Sequence, residues 1–222
     1  MKKNIQKYFD FAIFDVDGTL INNMPLIRRV FAEILKEKLG LPQKESIEFL
    51  NSHTGLPVRE IFEQVLITYH KNTDYEKKDV QRLTKLFLKK IGKDSSPCFG
   101  GVKEVLSQLQ KNLRLFSTSG NSTQNVKISL SKAGLADYFD LILGSEKIPK
   151  GKEHIKVFAK SVGLSFSEFA SKAFLVGDGK DDMAMARQCG IYAIGITNTV
   201  PAIELLNEGA DEIIDKLEKL LT

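Results

Sequence analysis

Apolar residues fall into two rhythms along this chain, and the change from one to the other divides it. The run Phe11-Ala12-Ile13-Phe14 is apolar without alternation, as in a strand covered on both faces, and it stops at acidic residues and a glycine. From Pro25 through Lys38 the spacing becomes helical, with Leu26, Ile27, Val30, Phe31, Ile34, Leu35 and Leu39 on one face. Helices are predicted again over Ser46 to Ser52, Pro57 to His70 and Tyr75 to Ile91, with breaks near Gly40-Leu41-Pro42 and Lys71-Asn72-Thr73. No part of residues 22–92 reads as a strand, so this stretch is expected to be an inserted helical bundle.

After Pro97 strands return. Helices are predicted over Gly101 to Gln110, Thr123 to Ala133, Lys152 to Val162 and Met183 to Cys189, and strands over Leu113 to Ser117, Leu141 to Leu143, Ala173 to Val176 and Ile191 to Ile196. Alternation of this kind implies an α/β core with a parallel sheet and helices on both faces, a three-layer architecture. Residues 1–21 and 93–222 are assigned to the core, and 22–92 to a helical domain that leaves it once and returns.

The 222 residues, 42% of them hydrophobic, suffice for one substantial core and a small accessory domain, and exclude a disordered chain. Thirty-two basic against twenty-eight acidic residues leave a formal +4, too mild and dispersed to suggest a nucleic-acid partner. Cys98 and Cys189 lie far apart without a CxxC partner, which argues against a zinc site or a disulfide framework and suits a reducing cytoplasm. Ile5-Gln6-Lys7-Tyr8 is not an apolar signal core, so no secretory leader is expected, and no run is long enough to span a membrane.

The chemistry gathers at the ends of the predicted strands. Asp15-Val16-Asp17-Gly18-Thr19-Leu20 follows the first strand and places two carboxylates together. Such a pair needs a cation or a shared proton. With Mg2+ bound, Asp15 can be an ionised nucleophile and metal ligand, while Asp17 carries a proton to or from a leaving oxygen. Thr118, followed by Ser119 and Gly120, closes the next strand, where a hydroxyl and backbone N–H groups can bind phosphate oxygens. A basic segment, Lys147 to Lys152, precedes a helix; a lysine at a helix start opposes the dipole, so Lys152 is expected to face an anion or carboxylate. Finally Gly177-Asp178-Gly179-Lys180-Asp181-Asp182 follows the strand Ala173 to Val176. Asp178 is the best ligand for a hard cation, Asp182 can support it directly, through water or by orienting Lys152, and Asp181 is a candidate helix cap. In a parallel sheet all these strand ends share one edge.

This order resembles the haloacid dehalogenase superfamily of aspartate-nucleophile phosphotransferases, in particular its phosphoglycolate-phosphatase-like and beta-phosphoglucomutase-like members with a helical cap. Asp15 to Leu20 matches the first motif, Thr118 the second, Lys152 the third and Gly177 to Asp182 the fourth, and Pro97 to Val102 is similar to the segment that re-enters the core. The resemblance implies a Rossmann-like core, an aspartyl-phosphate on Asp15, acid–base work by Asp17, Mg2+ held by Asp15, the Asp17 backbone carbonyl and Asp178 with Asp182 in support, and a phosphoryl group bound by Thr118, Ser119, Gly120 and Lys152. The third motif departs from the family pattern because no Lys-Pro pair is present. Lys152 is preferred there, since Phe158 lies six residues on where the family often has an apolar residue; Lys150 is the alternative. Thr54 to Glu60 resembles the substrate-facing cap loop, with Arg59 as a contact for a second anionic group, whereas His53 is read as a local surface residue.

The expected function is therefore a Mg2+-dependent phosphatase of a small phosphorylated metabolite, phosphoglycolate-like or a sugar phosphate, acting in the cytoplasm as a monomer or homodimer. A sugar-phosphate mutase of the same family is the alternative. A receiver-type phospho-accepting domain is disfavoured by the helical insertion after the first strand and by the position of the acceptor aspartate.

Overall fold

The computed structural model describes residues 5–53, 56, 58–69, 77–92, 94 and 96–221. Its centre is a six-stranded sheet built from β1 (Phe11–Asp15), β2 (Arg114–Thr118), β3 (Leu141–Leu143), β4 (Ala173–Gly177), β5 (Tyr192–Ile196) and β6 (Glu212–Ile214). The strands lie in the order β3-β2-β1-β4-β5-β6, and every pairing is parallel. β1 therefore sits beside both β2 and β4, where the winding of the sheet reverses direction. Crevices that bind ligands in open parallel sheets form at the carboxyl ends of the strands at such a point.

Period-two alternation splits the sheet residues between two cores. Ala12 and Phe14 of β1, Leu115 of β2 and Phe174 and Val176 of β4 face one side, where Val102, Val105, Leu106 and Leu109 of α5 (Val102–Leu109) and Val126 and Leu130 of α6 (Thr123–Ala133) pack. Phe11, Ile13, Phe116, Ala173 and Leu175 face the other, against α7 (Lys152–Ser161), α8 (Phe166–Ser171) and α9 (Lys180–Cys189). Phe11 stacks on Phe169 with centroids 4.6 Å apart, and Phe116 lies 4.9 Å from Phe158. Both faces are thus covered, which is why β1 and β4 read as continuous apolar runs.

The chain forms two compact units, Met1–Asn22 with Ser96–Thr222, and Asn23–Ser95. The second unit contains α1 (Met24–Leu39), α2 (Gln43–Ser52), α3 (Val58–Tyr69) and α4 (Lys77–Ile91). Its own core joins Phe31, Ile34 and Leu35 to Phe62, Val65, Leu83 and Phe87, with the Phe31 and Phe62 rings stacked at 5.2 Å. In the first unit the outgoing and returning crossings are tied together: Asn22 N donates to Pro97 O at 2.9 Å and Phe99 N to Leu20 O at 3.0 Å.

Several predicted boundaries move. α2 begins at Gln43 rather than Ser46, because Pro42 in an extended conformation sets its start. α9 begins at Lys180, three residues before the expected Met183, since the polar first turn carries no apolar periodicity. The helix α8, α10 (Ala202–Glu208) and the edge strand β6 were not predicted. Each is short, and β6 has only Ile214 buried. The predicted ends at Pro57, His70 and Tyr75 lie outside the described residues. Among the described residues no helix is long and apolar enough to cross a membrane.

Candidate active site

β1, β2 and β4 run in parallel register, with Asp15 opposite Thr118 and Phe14 opposite Val176, so their carboxyl ends finish together. Asp15 ends β1, Thr118 ends β2, and Asp178 follows Gly177 at the end of β4. All three are buried, as is Asp182 on the first turn of α9. Asp15, Asp178 and Asp182 each present a carboxylate oxygen within 4.8 Å of the others.

Two glycines make that approach possible. Gly18 has φ +92°, and a Cβ there would sit 2.2 Å from Asp178 Oδ2. A Cβ on Gly177 would lie 2.4 Å from the Cβ of Asp182, so the start of α9 can close on the strand only with glycine at this position.

The carboxylates are held from several directions. Thr19 Oγ1 donates to Asp178 Oδ1 at 2.7 Å, and Thr199, in the loop after β5, donates to Asp178 Oδ2. Asn198 Nδ2 donates to the carbonyl of Gly18 at 2.8 Å, which fixes the turn after Asp17. Asp182 Oδ2 accepts from Gly179 N at 3.2 Å, so it is Asp182, and not the exposed Asp181, that caps α9. Asp17 is less buried than Asp15, and its Oδ2 lies 3.4 Å from Asn121 Nδ2.

Of the two candidate lysines, Lys150 is the one that reaches these carboxylates. Its Nζ lies 2.5 Å from Asp15 Oδ1 and 2.7 Å from Asp182 Oδ1. The structure thus brings Lys150, the alternative, to this cluster, and not the preferred Lys152. Lys152 is the first residue of α7, is exposed, and holds its ammonium 5.2 Å from the centre of the Phe166 ring. The unfavourable helix-start position is met by an aromatic face instead of an anion. Lys150 precedes the helix, where Gly151 at φ +146° turns the chain, and its own N–H donates to Ser145 Oγ at 3.1 Å. Ser145 Oγ in turn donates to Ser119 O at 2.8 Å, tying the lysine loop to the loop after β2. Sequence reading missed Ser145, Asn198 and Thr199, because a serine or an Asn-Thr pair in a loop carries no spacing signal.

Charge in this cleft is unbalanced. Burial raises the Asp15 carboxyl well above its ordinary value; Lys150 pulls it back, and Asp182 and Asp178 push it further up. Asp178 is also raised, by burial first, with the Thr199 and Thr19 hydroxyls opposing. Burial works against the Lys150 ammonium, but Asp15 and Asp182 outweigh it and the net shift is upward, so the lysine stays charged. Among the described residues, three carboxylates against one ammonium form a deficit that a divalent cation would neutralise, and an all-oxygen donor set is what a hard cation requires. The residues thus fit a metal ion.

Thr118 and Ser119 stand at the edge of the same cleft but are already bonded. Thr118 Oγ1 contacts His154 Nδ1 at 2.8 Å, and Ser119 N donates to Leu143 O at 3.1 Å. Gly120 is exposed beside them. Arg59 is exposed on α3, in the helical unit, and the neighbouring Thr54, Gly55 and Pro57 lie outside the described residues.

Comparison with known proteins agrees with this arrangement. The model of haloacid dehalogenase-like hydrolases matches residues 12–196. Among curated relatives, the "Probable phosphatase IndB" of Dickeya dadantii is 28% identical over 91% of this chain and 87% of its own. The phosphoglycolate phosphatase of Chromobacterium violaceum is 25% identical over 96% of each chain. A solved haloacid dehalogenase-like hydrolase of Streptococcus pneumoniae superposes with a TM-score of 0.80, covering 97% of this chain and 98% of its own at 23% identity. The match of the family model over residues 12–196, most of the chain, establishes that this chain belongs to the haloacid dehalogenase-like hydrolase family.

Proposed function

We propose that this chain is a Mg2+-dependent phosphatase that hydrolyses a small phosphorylated metabolite through a phosphoryl group carried on Asp15. The observation that supports it best is the convergence of Asp15, Asp178 and Asp182 on one buried cleft, with the Lys150 ammonium paired to Asp15 and Asp182. The curated relatives named as phosphatases point the same way.

Asp15, the Asp17 backbone carbonyl and Asp178, with Asp182 in support, are the residues that would hold the cation. Bound there, it would keep Asp15 ionised and draw charge from the phosphoryl oxygens. The chain's own groups account for the remaining chemistry. An Asp15 carboxylate oxygen attacks phosphorus, and the phosphorus–oxygen bond to the leaving alcohol breaks as Asp17 gives that oxygen its proton. Asp17, now a carboxylate, takes a proton from water as the water oxygen attacks the same phosphorus; inorganic phosphate leaves and Asp15 is restored. The partly accessible position of Asp17, with an amide donor 3.4 Å from one oxygen, suits a group that must exchange protons twice per turnover. Lys150 supplies fixed positive charge beside Asp15 for the transferring group.

The proposed substrate carries a compact anionic or sugar body. A relative named as a phosphoglycolate phosphatase supports the first, and Arg59 is the proposed contact for a second anionic group. A panel of phosphorylated metabolites, including glycolate phosphate, sugar phosphates and nucleotides, assayed with Mg2+ and with a chelator, tests the proposal. Phosphate release should require the metal and vanish in Asp15→Asn. Wild-type turnover by that variant would remove Asp15 as the nucleophile.

A further inference from the structure

The imidazole of His154 takes no part in the chemistry above, yet it is fully buried against Thr118 at the end of β2. Its Nε2 lies 3.2 Å from the carbonyl oxygen of Ile148. A carbonyl can only accept, so Nε2 carries a hydrogen. In a neutral ring Nδ1 is then a bare lone pair, and the 2.8 Å contact with Thr118 is made by the hydroxyl giving its one proton to the ring. The oxygens of a phosphoryl dianion are acceptors as well. In this state Thr118 offers them lone pairs and no proton.

A second proton on the ring reverses the contact. Nδ1–H then donates to Thr118 Oγ1, and the hydroxyl hydrogen is free to point elsewhere. We propose that His154 is a positioning residue for the phosphoryl site: it decides whether the Thr118 hydroxyl can donate to a phosphoryl oxygen, so that anion binding is coupled to proton uptake by His154. This rests on the reading of the strand ends as a phosphoryl site.

The groups around the ring set the direction of the effect. Thr118 faces it from β2, Phe158 from its own helix with centroids 6.4 Å apart, and the loop before α7 contributes the Ile148 carbonyl and the charges of Glu146 and Lys150. Burial lowers the His154 pKa from its ordinary 6.5; the backbone carbonyls of Ile148 and Gly144 oppose this, Lys150 adds to it, and Glu146 opposes it. The free protein is therefore neutral at this ring near pH 7. A dianion beside Thr118 adds negative charge and favours the imidazolium. Coupling is strongest as the pH falls toward and below the ordinary imidazole value.

The chain has three histidines, His53, His70 and His154, so imidazole 15N spectra of the full-length protein are simple to resolve. His53→Gln and His70→Gln assign the His154 signals by elimination. With Mg2+ present, sulfate is the probe, because it remains a dianion throughout the range from about pH 5 to pH 8. The expected result is an Nε2–H tautomer in the free protein and, at about pH 6, movement of Nδ1 to the protonated position as sulfate saturates. Thr118→Val should lose this response, and Thr118→Ser, which keeps a hydroxyl, should retain it. An Nδ1–H tautomer in the free protein overturns the inference. So does a His154 that stays neutral while the Thr118 and Gly120 amides register sulfate, an outcome that leaves the phosphoryl site standing. If neither the amides nor the ring respond, the phosphoryl site falls and the inference with it.

Discussion

Replacing Lys150 by Met removes one ammonium and keeps a stem of similar length, so it isolates the charge that the cleft depends on. Nζ lies 2.5 Å from Asp15 and 2.7 Å from Asp182, and the ammonium's side chain is only 19% exposed. At an effective dielectric of about 20, two carboxylates about 4.8 Å apart repel by about 3.5 kcal/mol. Removing one member of a buried ion pair typically costs about 3–5 kcal/mol. The two magnitudes agree, and they predict that metal-free Lys150→Met loses about 3 kcal/mol of stability at about pH 8. A proton on Asp15 relieves the repulsion, so the loss should shrink to about 1 kcal/mol at about pH 5. Turnover with Mg2+ should fall by about 10²–10³, the scale of removing one preorganised electrostatic partner. Lys152→Met is the control. It loses a cation–aromatic contact worth about 0.5–1 kcal/mol and should turn over as wild type does. Denaturant unfolding at the two pH values and steady-state phosphate release read both quantities. Lost turnover in Lys152→Met with retained turnover in Lys150→Met would refute the assignment, and a pH-independent stability loss would refute the electrostatic reason for it.

Further outcomes follow from the same cleft. Gly18→Ala, which forces a Cβ into Asp178 at a positive φ, should cost at least about 2 kcal/mol in unfolding and weaken Mg2+ binding at least about tenfold by calorimetry; wild-type values for both would show that the close approach of Gly18 to Asp178 is unimportant. Thr199→Val removes a donor to Asp178 and should weaken Mg2+ binding by about 10-fold or more, checked by the same titration; unchanged affinity would remove Thr199 from the support of the site. Asp15 and Asp178 have raised folded-state pKa values, so the folded metal-free protein holds protons that the unfolded chain has lost. Their contribution is fully present below the ordinary carboxylate range and is lost as the pH rises through the raised values. Metal-free melting temperatures should therefore fall between about pH 5 and pH 8 while the increment from Mg2+ grows over the same window; an increment independent of pH would contradict this.

The parallel core was legible because β1 and β4 are buried on both faces and leave continuous apolar runs, and because Gly and Asp mark where they end. β6 and α10 were not, since a three-residue edge strand with one buried side chain carries no periodic signal. That Asp15, Thr118 and Asp178 would stand together at strand ends was legible from the apolar runs that precede them. The choice between Lys150 and Lys152 was not, because both lie in one basic segment and the deciding factor is the turn at Gly151, which starts the helix after Lys150 and sends Lys152 toward Phe166. Asn198, Thr199, Ser145 and His154 escaped for a related reason. Each makes a hydrogen bond to a residue distant in sequence, and a single chain records no trace of such a pairing.

Asp15 is the proposed acceptor of phosphorus, and every other role in the cleft depends on it. With an aryl phosphate, whose leaving oxygen departs without a proton from Asp17, Asp17→Asn should slow only the second half of the reaction, so rapid acid quenching of that variant with Mg2+, followed by peptide mass spectrometry, should find a phosphoryl group on the peptide containing Asp15 and none once Asp15 is also changed to Asn. Phosphate released by the wild-type enzyme while the phosphoryl group is found on another residue would contradict it.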